Sequence, residues 1–263
     1  MLENKKYRKE IAWMTWHSKE GHIPSAFSII DLVSYLYKNF LNINKKNYNK
    51  PDRDYFILSK GHGCSALYVI LKELGFITKK DLLEKNEEFA KLATHPDRVK
   101  IKAVEASTGS LGNGIGFALG VALGNKIKNI KSKVITIIGD GESNEGLVWE
   151  CALLGSYNKL GNFCVILDNN KSCEPTLSIP NATKKWKSFG WETYEIDGHN
   201  ITEIKKVFSK LDFSLDAKPK AIIANTIKGK GVPQMEENYG HWHSRVPSDE
   251  EMKMINAEID NYE

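Results

Sequence analysis

Residues 134–171 read VITIIGDGESNEGLVWECALLGSYNKLGNFCVILDNNK, and this stretch decides the fold. VITIIG (134–139) and FCVILD (163–168) are short unbroken apolar runs, the pattern of strands covered on both faces. Residues 145–159 between them read as a helix. Strand, helix, strand makes a βαβ unit whose two strands lie parallel. The alternation continues with a helix at 183–189, TYEID (193–197), a helix at 201–210 and AIIANTI (221–227). Asn200 before the 201–210 helix, with Glu203 three residues on, has the pattern of a capping box.

Toward the N-terminus, residues 5–20 and 28–39 have helical spacing, and DYFILS (54–59) reads as a buried strand. A helix from about 63 to 74 and a charged, solvated helical stretch at 78–91 follow. The expected architecture is one α/β domain over residues 1–263, a doubly wound, mostly parallel sheet with helices on both faces.

The chain's 263 residues suffice for a sizeable core, and 41% hydrophobic with 27% charged residues is ordinary for a globular protein. A net charge of +4 with scattered lysines excludes a nucleic-acid partner. The mixed-charge start MLENKKYRKE does not read as a signal peptide, so none is expected, and no apolar run approaches the roughly 18 residues of a membrane span. Cys64, Cys151, Cys164 and Cys173 form no C-x-x-C pair and read as reduced packing thiols, so the expected location is the cytoplasm, with no membrane partner.

In a sheet of this kind, ligands bind beyond the carboxyl ends of the strands. Those ends carry Asp140-Gly141-Glu142, Asn169-Asn170-Lys171-Ser172, Gly198-His199-Asn200 and Lys228-Gly229-Lys230-Gly231. Asp140 and Asn170 lie one βαβ unit apart, which places them at neighbouring strand ends. Carboxylate, carboxamide and loop carbonyl are hard oxygen donors suited to Mg²⁺ or Ca²⁺, with phosphate and water completing the shell. Gly141 and Gly146 permit close backbone approach, and a helix starting near 145 directs its positive end at phosphate. No Cys/His set with zinc spacing competes. Gly112, Gly116, Gly120 and Gly124 recur every fourth residue, and each costs about 1 kcal/mol in a helix, so the stripe predicts close approach by another backbone or a cofactor. Of the seven histidines, His17 and His241 read as surface or packing residues and His199 as the organiser of its turn.

The segment from Gly139 to Lys171 resembles the thiamine diphosphate motif in its transketolase version. The resemblance covers nearly the whole chain: GHIPSAFSIIDLVSYLY, DRDYFILSKGHGCSALY, HP at 95–96, EASTGSLGNGIGFALGVALG, FGWETYEIDGHN, IANTIKGKGV and WH at 242–243 follow the family's order. It implies that thiamine diphosphate is the cofactor and that Asp140, Asn170 and the Ser172 carbonyl hold Mg²⁺, for which Ca²⁺ or Mn²⁺ could substitute. It places Gly141 and the Gly109-Ser110-Leu111 turn on the cofactor, and Ser25, His62, Lys228 and His243 around its diphosphate and thiazolium. His22, His62, His95 and His243 would face the reacting carbon and bind substrate hydroxyls, and Glu145 would couple two active sites across a subunit interface. The cofactor is the electron sink; imidazoles that titrate near neutrality move the protons of a polyhydroxylated sugar.

The sequence departs from the family at DNNKSCEPT (168–176), at GHI and THP for Gly-His-Pro, at SNEG for LQEG, and at Asn113 for Gln. These departures suggest a divergent substrate. The family's pyrimidine-binding and C-terminal domains have no counterpart here. The resemblance therefore implies the N-terminal subunit of a split transketolase, a transferase of aldehyde or ketone residues acting on sugars or sugar phosphates. Its partner would be a C-terminal transketolase-like chain, two copies of each. A non-catalytic cofactor-binding subunit and a pyruvate-using, 1-deoxyxylulose-5-phosphate synthase-like variant are the alternatives.

Overall fold

The apolar runs fold as the strands of one all-parallel sheet. The structure, a computed structural model, describes residues 2–88 and 90–262, with side chains from Asn4 onward; Met1, Phe89 and Glu263, which fall within the expected 1–263 domain and the 78–91 stretch, lie outside the described residues. The strands are β1 (Tyr55–Leu58), β2 (Val134–Gly139), β3 (Phe163–Asn169), β4 (Glu192–Asp197) and β5 (Lys220–Asn225), in the order β1-β2-β3-β5-β4. β2 and β3 run in register from Val134↔Phe163 to Gly139↔Asp168, so their carboxyl ends are level.

Alternate side chains on each strand enter opposite layers. Ile135, Ile137, Cys164, Ile166 and Ile222 join a core with residues of α1 (Leu2–His17), α2 (Ile23–Phe27), α3 (Ile30–Tyr35), α4 (Cys64–Glu73), α9 (Ile201–Phe208) and α11 (Asp249–Asn261). Val134, Ile138, Val165, Leu167 and Ile223 join a second core with α6 (Asn113–Ile127), α7 (Gly146–Tyr157) and α8 (Ala182–Ser188). Helices cover both faces, as the sequence predicts. Among the described residues, no helix is long and apolar enough to cross a membrane.

Several expectations are corrected. The 78–91 helix is one short helix, α5 (Lys79–Leu83); the chain then turns, with Asn86 at φ +66° and its N–H on the Leu92 carbonyl. The 28–39 helix is α3 followed by a wider π turn, Leu36–Phe40. Asn200 does cap α9, accepting from the N–H groups of Thr202 and Glu203, but the Glu203 carboxylate reaches back to the Asp197 N–H, so the box is incomplete. Complete boxes stand at Thr78/Asp81 and Ser248/Glu251; the second starts α11, which follows the short α10 (Pro233–Glu237). Neither C-terminal helix belongs to the strand–helix alternation read from the sequence.

Candidate functional site

Four imidazoles form a row at the carboxyl rim of the sheet. His95 and His62 have ring centroids 4.8 Å apart, His62 and His22 4.8 Å, and His22 and His243 5.2 Å. His22 stands at the N-terminus of α2 with φ +70°, and its N–H donates to the His243 carbonyl at 3.1 Å. His62 occupies a single 3₁₀ turn, Gly61–Gly63, after β1. Two glycines make the nesting possible. A Cβ on Gly61 would lie 2.8 Å from the Gly109 nitrogen, and one on Gly109 would lie 2.7 Å from the His95 ring. The turn at Gly109 therefore abuts both the His62 turn and His95.

Burial, then the neighbouring positive groups, push His22 and His62 down to about 4; burial lowers His95 and His243 as well. All four rings are neutral near pH 7 and free to accept or donate one proton. His22 Nδ1 and His95 Nε2 are buried with no hydrogen-bond partner. An unmet buried polar atom costs about 1–3 kcal/mol. Thr136 Oγ1, Asn162 Oδ1 and Trp186 Nε1 are also unmet, but the two histidine nitrogens flank one shared ring, His62. That pair suits a ligand with several hydroxyls.

At one end of the row, Lys228 Nζ lies 2.9 Å from His243 Nδ1. Burial and the nearby Lys60 ammonium lower Lys228 to about 8, a cation that a bound anion would stabilise. Ser25 is buried in the first turn of α2, where its carbonyl accepts from Lys60 Nζ at 3.3 Å.

At the ends of β2 and β3, Asp140 and Asn170 converge on Ser172: its hydroxyl donates to Asp140 Oδ1 at 3.1 Å and its N–H to Asn170 Oδ1 at 3.0 Å. The Asp140 carboxylate also accepts from the Gly141 N–H at 2.8 Å and the Cys173 N–H at 3.3 Å. Beside them opens a cavity of about 330 Å³, whose lining includes Asp140, Asn169, Lys171 and Cys173. Among the described residues no group of three or more His, Cys, Asp or Glu side chains could hold a metal. A hard cation here would rely on the mixed set of carboxylate, amide oxygen and main-chain carbonyl, which fits a Mg²⁺ that retains water and phosphate ligands.

Sequence reasoning missed what lies behind this rim. Asp168 is fully buried and accepts from Lys60 Nζ, Ser28 Oγ (2.8 Å), Asn170 Nδ2 (2.8 Å) and Thr226 Oγ1. Glu142, also buried, accepts from the N–H groups of Gly112 (2.9 Å) and Gly139 (3.0 Å) and from the Ser59 hydroxyl, tying β1 and β2 to the start of α6. A carboxylate closing an apolar strand must find partners when buried, and that was the available signal for Asp168.

Two expectations fare differently. Glu145 is exposed before α7, beside Gly112, where a Cβ would lie 2.8 Å from its own. The glycine stripe does not meet another backbone within the chain. Gly116 has only a Leu147 methyl at 3.6 Å, and Gly120 and Gly124 face open space. Close approach falls instead on Gly114, where a Cβ would sit 2.5 Å from the Ser59 Cα. All four cysteines are buried free thiols.

Residues 14–259 match the family described as transketolase, thiamine diphosphate binding domain. An apulose-4-phosphate transketolase subunit from Phocaeicola vulgatus is 31% identical over 263 residues, covering 98% of this chain and 92% of that protein. The 6-deoxy-6-sulfo-D-fructose transketolase subunit SqwG of a Clostridium species is 34% identical over 245 residues, covering 91% and 88%. The crystal structure of Campylobacter jejuni transketolase superposes with a TM-score of 0.88 at 28% identity; 98% of this chain covers 42% of that one.

Proposed function

The chain belongs to the transketolase family, matching its thiamine diphosphate-binding domain, and from that premise we propose that it is the N-terminal subunit of a two-chain transketolase. In this reading it binds thiamine diphosphate with Mg²⁺ and, joined to a C-terminal subunit, transfers a two-carbon ketol unit from a ketose to an aldose or related sugar acceptor. The observation that carries the reading is the row of four neutral histidines ending at Lys228, with two ring nitrogens unmet. A subunit that merely stored the cofactor would have no use for them.

Asp140, the Asn170 carboxamide and the Ser172 carbonyl would hold the metal, and the Lys228 ammonium would meet diphosphate charge. The bound cofactor supplies the electron sink for cleavage of a ketose carbon–carbon bond. His22 and His95 offer their unmet nitrogens to sugar hydroxyls. Being neutral, each can take a proton from a hydroxyl and return it, whereas an imidazolium could only donate. His62, between them, keeps both rings in one file.

The two-chain assembly rests on the relatives that are named as subunits and that this chain covers almost end to end. An apolar face on α6 and α7, with Phe117, Leu153, Leu154 and Tyr157 exposed, supports burial against further chains, two copies of each being the expected assembly. The substrates in those relatives' names make sugar phosphates and modified ketoses the first donors to try. Calorimetric titration of thiamine diphosphate with Mg²⁺ tests the site directly: Asp140→Ala should abolish the metal-dependent binding, and intact affinity would overturn the metal assignment.

A further inference from the structure

His199 stands outside the histidine row, yet both of its ring nitrogens are engaged. Nε2 accepts from the Ile227 N–H at 2.9 Å, and Nδ1 lies 2.7 Å from Asp31 Oδ2. A main-chain N–H can only donate, so Nε2 carries the lone pair and Nδ1 gives its proton to Asp31. Asp31 in turn holds Arg8, with Nη2 on Oδ2 at 2.7 Å and Nη1 on Oδ1 at 3.2 Å. Burial would raise the Asp31 carboxyl, but the His199 hydrogen bond and Arg8 hold it at about 2.

Arg8 also reaches the loop that His199 holds: its Nε donates to the Lys230 carbonyl at 2.8 Å. Ile227–Lys230 is a closed turn, the Lys230 N–H returning to the Ile227 carbonyl at 3.2 Å. Its start is thus tied to Asp31 through His199, and its end through Arg8. Between the ties sit Lys228, whose ammonium meets His243, and Gly229 at φ +86°, whose N–H donates to the Pro24 carbonyl.

We propose that Arg8, Asp31 and His199 form a clamp that fixes the Ile227–Lys230 turn and so aims the Lys228 ammonium at a bound diphosphate. His199 is a positioning residue in this scheme, which rests on the reading of Lys228 as the group that meets the anion. Arg8 has a second part in it. It shares the Asp31 carboxylate with the His199 ring, so one buried carboxylate anchors both ends of the turn.

The test titrates Mg²⁺-pyrophosphate and Mg²⁺-thiamine diphosphate into the full chain with its partner subunit. His199→Gln keeps an acceptor at the reach of Nε2, while His199→Asn keeps only the donor to Asp31. The Asn variant, which loses the tie to Ile227, should bind both probes about tenfold more weakly, as loss of a supporting hydrogen bond behind a ligating group does. The Gln variant, which keeps that tie but gives up the one to Asp31, should fall between Asn and the wild type. Equal affinities for Asn, Gln and wild type, with Lys228→Ala weakened, would overturn the clamp while sparing the reading of Lys228. Wild-type affinity in Lys228→Ala would instead overturn that reading and the clamp's purpose with it. Nitrogen NMR of the wild-type ring needs no variant: a His199 ring with its proton on Nδ1 and a bare Nε2 is expected, and a proton on Nε2 would refute the clamp.

Discussion

Asp168 and the histidine row belong to the same rim, and they treat buried polar atoms in opposite ways. Asp168 gathers Lys60, Ser28, Asn170 and Thr226, so a buried carboxylate and a buried ammonium are both supplied from within the chain. In the row, His22 Nδ1 and His95 Nε2 are equally enclosed and have nothing. A group that serves the fold finds its partners among the chain's own atoms, because an unpaired buried charge costs several kcal/mol. A group left unmet at a strand-end rim is one whose partner comes from outside. The contrast separates scaffold from site without reference to any relative.

Removing the scaffold side should have the largest effect. Asp168→Ala leaves the Lys60 ammonium buried without a counter-charge, and breaking such a pair costs about 3–5 kcal/mol. Urea unfolding should show that loss; a change under about 1 kcal/mol would erase the contrast. The opposite pattern is expected in the row. His22→Ala or His95→Ala should lower ketol transfer by about a hundredfold, the lower end of a positioned acid–base group's contribution, while stability stays within about 1 kcal/mol because no internal hydrogen bond of that ring nitrogen is lost. A large stability loss with unchanged turnover would reassign these rings to the fold.

Lys228 sharpens the comparison from between the two regions. Burial and Lys60 hold it at about 8 before an anion arrives. An anion favours the charged ammonium, so pyrophosphate affinity should be flat below pH 8 and fall by up to about tenfold per unit above it, accompanied by proton uptake. Lys228→Ala should flatten that profile over the same range. A wild-type affinity already independent of pH would show that the ammonium does not meet the anion.

Much of this was legible in the sequence where the pattern was local. VITIIG and FCVILD are strands buried on both faces because they lack the polar alternation of a half-exposed strand. Their register then puts Asp140 and Asn170 together, as their spacing required. The histidines were legible only through family blocks, since nothing in local spacing brings His22, His62, His95 and His243 into one file. What stayed hidden depends on distant contacts. Lys60 and Asp168 are 108 positions apart, and the Arg8 tie to Lys230 spans 222. The glycine periodicity is a partial guide for a related reason: helical spacing cannot say which glycine faces a neighbour inside the chain, and the close contacts fall on Gly112, a member of the stripe, and on Gly114, which is not. The Ser248/Glu251 box that starts α11 is a local signal too, but it lies beyond the βαβ alternation that organises the rest of the chain.

The most direct test is a ketol-transfer assay with this chain and a C-terminal transketolase chain, together and apart, in thiamine diphosphate and Mg²⁺. A two-chain enzyme should transfer glycolaldehyde from a ketose to an aldose only in the mixture, and lose that transfer when His22 or His95 is replaced by alanine. Tight cofactor binding with no turnover in any mixture, or turnover indifferent to both histidines, would contradict it.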